Sequence, residues 1–199
     1  TFPFWCKALG YGFTETGSST FEAYSGNLEP RIFRLEEDYS MINRMGFPGI
    51  GSDPVSKNID YLLSIYPQTD YTLVTNFAAS RKSFDKAAAQ NNPGMVDDDY
   101  VKAYLAVGPK TKISVVNISS PNTPGVRNLQ EPERARDLFT ALYQARESHP
   151  QLWKRKLLAK FGPELEKRDE VLKLLSDYHF DGVVLTNTST DPKLRNVLM

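Results

Sequence analysis

"KISVVNISSPNTPG", residues 112–125, is the stretch on which the fold turns. Its first half, Lys112 to Val116, reads as a buried strand: after the lysine it carries no charge, and it is rich in β-branched residues. Asn117, Ser119, Ser120 and Asn122 follow at once, with Pro121, Pro124 and Gly125 set among and after them. Hydrogen-bonding side chains at the carboxyl end of a buried strand, held by a stiff turn, mark the functional rim of a parallel α/β sheet. The chain repeats this arrangement. Glu15, Gly17 and Ser18 belong to the strand "FTETGS", Asn76 to "DYTLVTNF" (70–77), Lys160 to "KLLAKF", and Thr186, Asn187 and Thr188 to "DGVVLTNTS".

Helical patterns separate these strands. Ile59, Leu62 and Leu63 share one side of a helix predicted over 56–65. A second helix spans about 99–107 and is stopped by Gly108 and Pro109. A long one, "PERARDLFTALYQARESHP", turns Leu138, Leu142 and Ala145 inward, and "ELEKRDEVLKLLSDY" does the same with Val171, Leu174, Leu175 and Tyr178. "PRIFRL" alternates in period two and is expected in a small surface hairpin at about 21–40. Residues 78–99, with "KAAAQNNPGMVDDD", read as an inserted helix and then a loose acidic loop. "DGVVLTNTS" is the clearest buried strand by composition.

Alternating strands and helices from about residue 13 to 190 predict βα units around a parallel sheet. A doubly wound dinucleotide fold requires a glycine-rich turn after its first strand, and Gly10 and Gly12 come before the strand instead. A (β/α)8 barrel requires functional groups on strand end after strand end, and this chain has them.

Composition narrows the partners. Lys plus Arg and Asp plus Glu both number 24, so the formal net charge is zero and nothing points to nucleic acid. Cys6 is the single cysteine and His149 and His179 are isolated, which leaves no metal motif. No apolar run is long enough to span a bilayer. The first residue is Thr and the chain stops soon after a strong strand, so both ends are expected to be cut.

An asparagine offers a donor and an acceptor, so a group of them suits a flat ring bearing carbonyl and N–H edges, and Lys160 suits an electron-rich atom on a cofactor. Singly, each Asn also reads as a turn or strand cap. Ser120 is held extended by Pro121. It has no His or Asp beside it to take up a proton, and alone it reads as a hydrogen-bonded loop residue. Glu36, Glu37 and Asp38 read as a solvated helix start. "INRMGF", residues 42–47, is either a helix end capped by Gly46 or a loop folded over something flat.

In order, "GYGFTETGSST", "NLEPRIFRL", "INRMGF", "VVNISSPNTPGVRNLQ" and "DGVVLTNTS" resemble the quinone-linked, membrane-associated dihydroorotate dehydrogenases. The resemblance implies an FMN-dependent barrel enzyme that oxidises dihydroorotate to orotate in pyrimidine synthesis and reduces ubiquinone. It implies that Ser120 is the base and that Thr123 and Phe47 relay its proton. Asn43, Asn117, Asn122, Asn187 and Thr188 match substrate contacts. Gly17, Ser18, Asn76, Lys160 and Thr186 match flavin contacts, and Arg34 matches an arginine near the quinone entrance. A monomer is expected, attached to the mitochondrial inner membrane, or alternatively the bacterial one, through a segment not present here.

Two departures accompany the match. "AASRKS" at 78–83 stands where the family has a Gly-Lys-Asn-Lys-Thr stretch, with about ten added residues after it. The family's first strand and everything after its sixth are missing, so the chain is expected to supply strands two to six as one partial flavin-binding domain, 1–199, inactive and flavin-free by itself. Two other readings fit: a degenerate, non-catalytic barrel, or a flavin-dependent reductase of dihydropyrimidines or dihydrouridine. "INRMGF" and a serine in place of a catalytic cysteine stand against the reductase.

Overall fold

The computed structural model describes residues 2–66 and 71–191. Helix α1 (Phe2–Ala8) leads into strand β1 (Phe13–Thr20). A hairpin follows, formed by β2 (Ile32–Leu35) and β3 (Ser40–Asn43), and then α2 (Ser52–Ile65), β4 (Thr72–Ala78), α3 (Arg81–Gln90) and α4 (Gly94–Val107). The chain continues with β5 (Ile113–Asn117), α5 (Pro132–Ser148), β6 (Lys156–Phe161), α6 (Arg168–Asp177) and β7 (Gly182–Leu185).

Strands β1, β4, β5, β6 and β7 form one parallel sheet in that order, and β2 and β3 pair antiparallel apart from it. Consecutive parallel neighbours joined by helices are what βα repeats produce. Register then aligns the side chains of interest. Asn117 and Lys160 are partners across β5 and β6, and Asn76 is paired with Val115. Since side chains alternate along a strand, Asn76, Asn117 and Lys160 share one face of the sheet.

The opposite face meets the helices. On α5, Ala135, Leu138, Phe139, Leu142 and Ala145 are buried at three- and four-residue spacing, and Pro132 at the helix start supplies a preset φ. Each fully buried Leu or Phe there contributes about 1.5–3 kcal/mol of transfer free energy. On α4, Tyr100, Ala103, Tyr104 and Val107 are buried, and the Tyr104 ring stacks on Phe77 of β4 at 5.0 Å between centroids.

The predicted strands and helices are present, with four corrections. The hairpin lies at Ile32–Asn43, later than the expected 21–40, and Asn43 ends its second strand instead of opening a loop. The acidic stretch at 97–99 is the first part of α4. Its order comes from distant partners: the buried Asp99 carboxylate accepts from Ser80 N at 2.6 Å and Ser83 Oγ at 3.3 Å, and Asp97 pairs with Arg134 at 3.0 Å. Helix α2 begins four residues earlier than predicted, after Gly51 at φ +90°. Among the described residues β7 is an edge strand, and its Val183 and Leu185 are exposed where composition predicts burial. Asp70, included in the predicted strand 70–77, lies outside the described residues.

Candidate active site at the carboxyl ends of the sheet

A cavity of about 340 Å3 opens at the carboxyl ends of the parallel strands. Glu15, Gly17 and Ser18 of β1, Asn76 of β4, Asn117 of β5 and Lys160 of β6 form its floor and sides. Ser120 and Asn122 follow β5, Asn187 follows β7, and Asn43, Met45, Gly46, Phe47 and Pro48 cover it from the hairpin side. The volume falls in the range of small-molecule sites.

One hydrogen-bonded chain runs across β1, β4, β5 and β6 and on to Asn187 just past β7. Lys160 Nζ donates to Glu15 Oε1 at 3.2 Å, and the same oxygen accepts from Asn76 Nδ2 at 2.7 Å. Asn76 Oδ1 accepts from Ser18 Oγ at 2.6 Å, and Ser18 Oγ accepts from Asn117 Nδ2 at 2.8 Å. Asn117 Oδ1 takes the amide and hydroxyl of Ser119 at 3.1 and 3.0 Å, and Ser119 Oγ accepts from Asn187 Nδ2 at 3.2 Å. Every Asn amide here is oriented by its neighbours before any ligand arrives, which is the preorganisation a binding site needs.

The backbone supports this chain closely. Gly17 sits at φ +127°, and a Cβ on it would lie 2.2 Å from the Asn76 carbonyl oxygen, so only glycine allows β1 to pass β4 there. Beneath Asn117, the Tyr100 hydroxyl donates to its carbonyl at 2.7 Å. Burial, opposed by a backbone hydrogen bond at Ala79, pushes the Tyr100 pKa far above that of an ordinary phenol, so the group stays a neutral donor.

The hairpin is joined to the Ser120 turn by amides. Asn122 Nδ2 donates to Asn43 Oδ1 at 2.8 Å, and Asn27 Nδ2 reaches both the Asn122 carbonyl at 2.9 Å and the Arg44 carbonyl at 3.1 Å. Gly46 at φ +70° lies against the Asn27 side chain and Phe47 follows at φ +57°, buried over the cavity. Of the two readings of 42–47, the helix end is not seen: β3 closes at Asn43, and 44–47 run on as a loop along the cavity. Ser120 is buried and its Oγ accepts from Asn122 N at 3.3 Å; Thr123 Oγ1 is buried with no hydrogen-bond partner among the described residues.

Gly17, Ser18, Asn43, Phe47, Asn76, Asn117, Ser120, Asn122, Lys160 and Asn187 thus line one cavity. Thr123, Thr186 and Thr188 are next to it in sequence but outside its wall, and Arg34 is exposed on β2. Glu15, readable only as a strand-end group, is the acceptor joining Lys160 to Asn76. Asn27 and Arg127 carry no local signal, because their partners come from remote segments and no local spacing reveals them.

A curled parallel sheet with a polar cup at its carboxyl ends defines an α/β protein of the TIM-barrel type. The sequence model of the family described as dihydroorotate dehydrogenase matches residues 4–197, and the chain belongs to that family. Its curated relatives include dihydroorotate dehydrogenase (quinone) of Synechocystis, 34% identical over 92% of this chain and 45% of that protein. Those of Rhodopseudomonas palustris and Halobacterium salinarum are each 36% identical, over 94% and 92% of this chain and 49% and 48% of theirs. The crystal structure of the Eimeria tenella enzyme in complex with ferulenol superimposes with a TM-score of 0.81 at 26% identity, covering 95% of this chain and 53% of that one.

The chain therefore spans about half the length of the relatives it matches. These curated relatives are bacterial and archaeal, and they give the mitochondrial expectation no support. Among the described residues no helix is long and apolar enough to cross a membrane.

Proposed function

We propose that the protein carrying this chain oxidises dihydroorotate to orotate with FMN and passes the electrons to a quinone such as ubiquinone, in pyrimidine biosynthesis. The observation that carries this reading is the continuous polar chain from Lys160 to Asn187 beside a buried Ser120. The residues present fit the flavin's ring: amide, hydroxyl and ammonium groups converge on one cavity, and Phe47, Met45 and Pro48 supply an apolar cover.

Gly17, Ser18, Asn76, Lys160 and Thr186 would hold FMN, which when bound supplies the two-electron redox chemistry. Asn43, Asn117, Asn122, Asn187 and Thr188 hold the substrate ring by its carbonyl, N–H and carboxylate edges. Ser120 Oγ takes a proton from the ring carbon. Serine is a weak base in water, so the step needs a closed pocket and somewhere for the proton to go. Phe47 closes the pocket, and Thr123 Oγ1, buried and without a partner among the described residues, is the next hydroxyl along the turn.

Arg34, exposed on the hairpin, marks the quinone side. Residues 1–199 act as one barrel-type domain bearing a surface hairpin. We place the protein as a monomer, peripheral on a bacterial inner membrane. The test is a dihydroorotate-dependent reduction of a quinone analogue by the purified complete gene product. Turnover supports the reading, and flavin-loaded protein without it refutes the reading.

A further inference from the structure

The segment "VRNLQ" at 126–130 has no role in the chemistry above, yet it ties together three strand ends. Arg127 and Gln130 lie in a short 3-10 turn after the Ser120 loop. Gln130 Oε1 accepts from Gly162 N at 2.8 Å, just past β6. Arg127 spreads its fork over both neighbours. Its Nε donates to the Ser119 carbonyl at 3.3 Å and one terminal nitrogen donates to the Thr188 carbonyl at 2.8 Å. The other donates to Thr190 Oγ1 at 2.8 Å and to Glu164 Oε2 at 3.1 Å.

Glu164 completes the clamp from the far side. Its second carboxylate oxygen accepts from the Ser189 hydroxyl and from Thr190 N at 3.1 Å. Residues 186–191 follow the exposed edge strand β7 and adopt no regular structure. Asn187 N donates to the Phe161 carbonyl and Asn187 Nδ2 to Ser119 Oγ, while Thr188, Ser189 and Thr190 are tied to the rest of the fold by Arg127 and Glu164.

We infer that Arg127 and Glu164 are positioning residues: together they hold residues 186–191 against the Ser120 turn and so set the affinity of the site for the planar ring anion that Asn187 and Thr188 would grip. This rests on the proposed function for the identity of the ring. The geometry of the clamp itself does not. A planar guanidinium with five donors can serve two carbonyls, a hydroxyl and a carboxylate at once, and an ammonium cannot reproduce that fork. Neither residue lines the cavity, so the effect is transmitted through the segment.

The experiment uses the complete gene product with R127Q, R127K and E164Q, read by amide hydrogen exchange over 186–191, by orotate titration of the bound flavin spectrum, and by steady-state kinetics. Exchange in 186–191 should rise at least about tenfold in R127Q and E164Q, with exchange in β5 and β6 unchanged. The orotate Kd and the dihydroorotate KM should rise by a similar factor, R127K should not restore them, and kcat should fall less than about threefold. Unchanged exchange, or a loss confined to kcat, overturns the inference. If R127Q fails to fold, R127K and E164Q decide it by the same criteria. Wild-type protein that neither binds orotate nor oxidises dihydroorotate would refute the proposed function, while the exchange result would still judge the clamp.

Discussion

Lys160 Nζ lies 3.2 Å from Glu15 Oε1, although β4 and β5 separate their two strands. In a flat sheet, strands three intervals apart would be roughly 14 Å from one another. The pair therefore records a sheet curled on itself, with long side chains from its two flanks meeting over the middle. Asn76 donates to the same carboxylate oxygen, so Glu15 organises both neighbours.

Glu15→Ala leaves an ammonium and an amide without their acceptor on the cavity floor. The expected loss is about 1–3 kcal/mol of unfolding free energy by urea denaturation. Glu15→Gln keeps an acceptor oxygen for Asn76 and should recover a good part of it. Equal stability of Glu15→Ala and wild type would show that the contact contributes nothing.

Gly17→Ala forces a methyl carbon to within 2.2 Å of a carbonyl oxygen in a conformation that L side chains avoid. We expect a cost of roughly 2–5 kcal/mol and loss of ligand binding at the cup, because β1 must move away from Asn76. Thermal unfolding together with a ligand-induced Tm shift measures both. A variant with wild-type stability and binding would refute the close packing of β1 on β4.

Tyr100→Phe removes the donor to the buried Asn117 carbonyl without leaving a large void. The expected cost is about 1–3 kcal/mol. A neutral substitution would show that the carbonyl has another partner.

Glu22, after β1, is held by Lys82 and Lys86 of α3. The hydrogen bond from Lys82, chief among the causes that lower it, holds its carboxyl below the usual range. A carboxyl whose pKa is lower folded than unfolded stabilises above its unfolded pKa and loses that contribution as pH falls through the folded one. Glu22→Gln should thus be less stable than wild type at pH 7, and the gap should close as pH drops below the ordinary Glu range. A gap that persists in acid would mean that the residue acts by packing instead.

The sequence is most legible where a local pattern and a tertiary role coincide. Val115 and Val116 announce a buried strand and are buried, and Asn117 falls one step past them on the cavity face. Gly17, Ser18, Asn76, Asn117 and Lys160 are legible because each sits at a strand end, a position with its own local signature, whereas Asn43, Phe47 and Thr123 are given roles only through the family resemblance. What was missed depends on partners remote in sequence. Asp97 and Asp99 look like solvated loop acids until Arg134 and Ser80 come beside them. Val183 and Leu185 look like core residues, yet among the described residues β7 pairs only with β6. Arg127 gave no signal, because its contacts with Glu164, Thr188 and Thr190 span 37 to 63 residues.

Under the proposed function, a flat ring in this cup loses its proton to Ser120. Anaerobic single-turnover reduction of the bound flavin by dihydroorotate tests it most directly, comparing wild type with Ser120→Ala in the complete gene product. Ser120→Ala should bind orotate normally but reduce its flavin roughly two to four powers of ten more slowly. Flavin reduction at the wild-type rate in Ser120→Ala, with orotate bound as well as before, would contradict it.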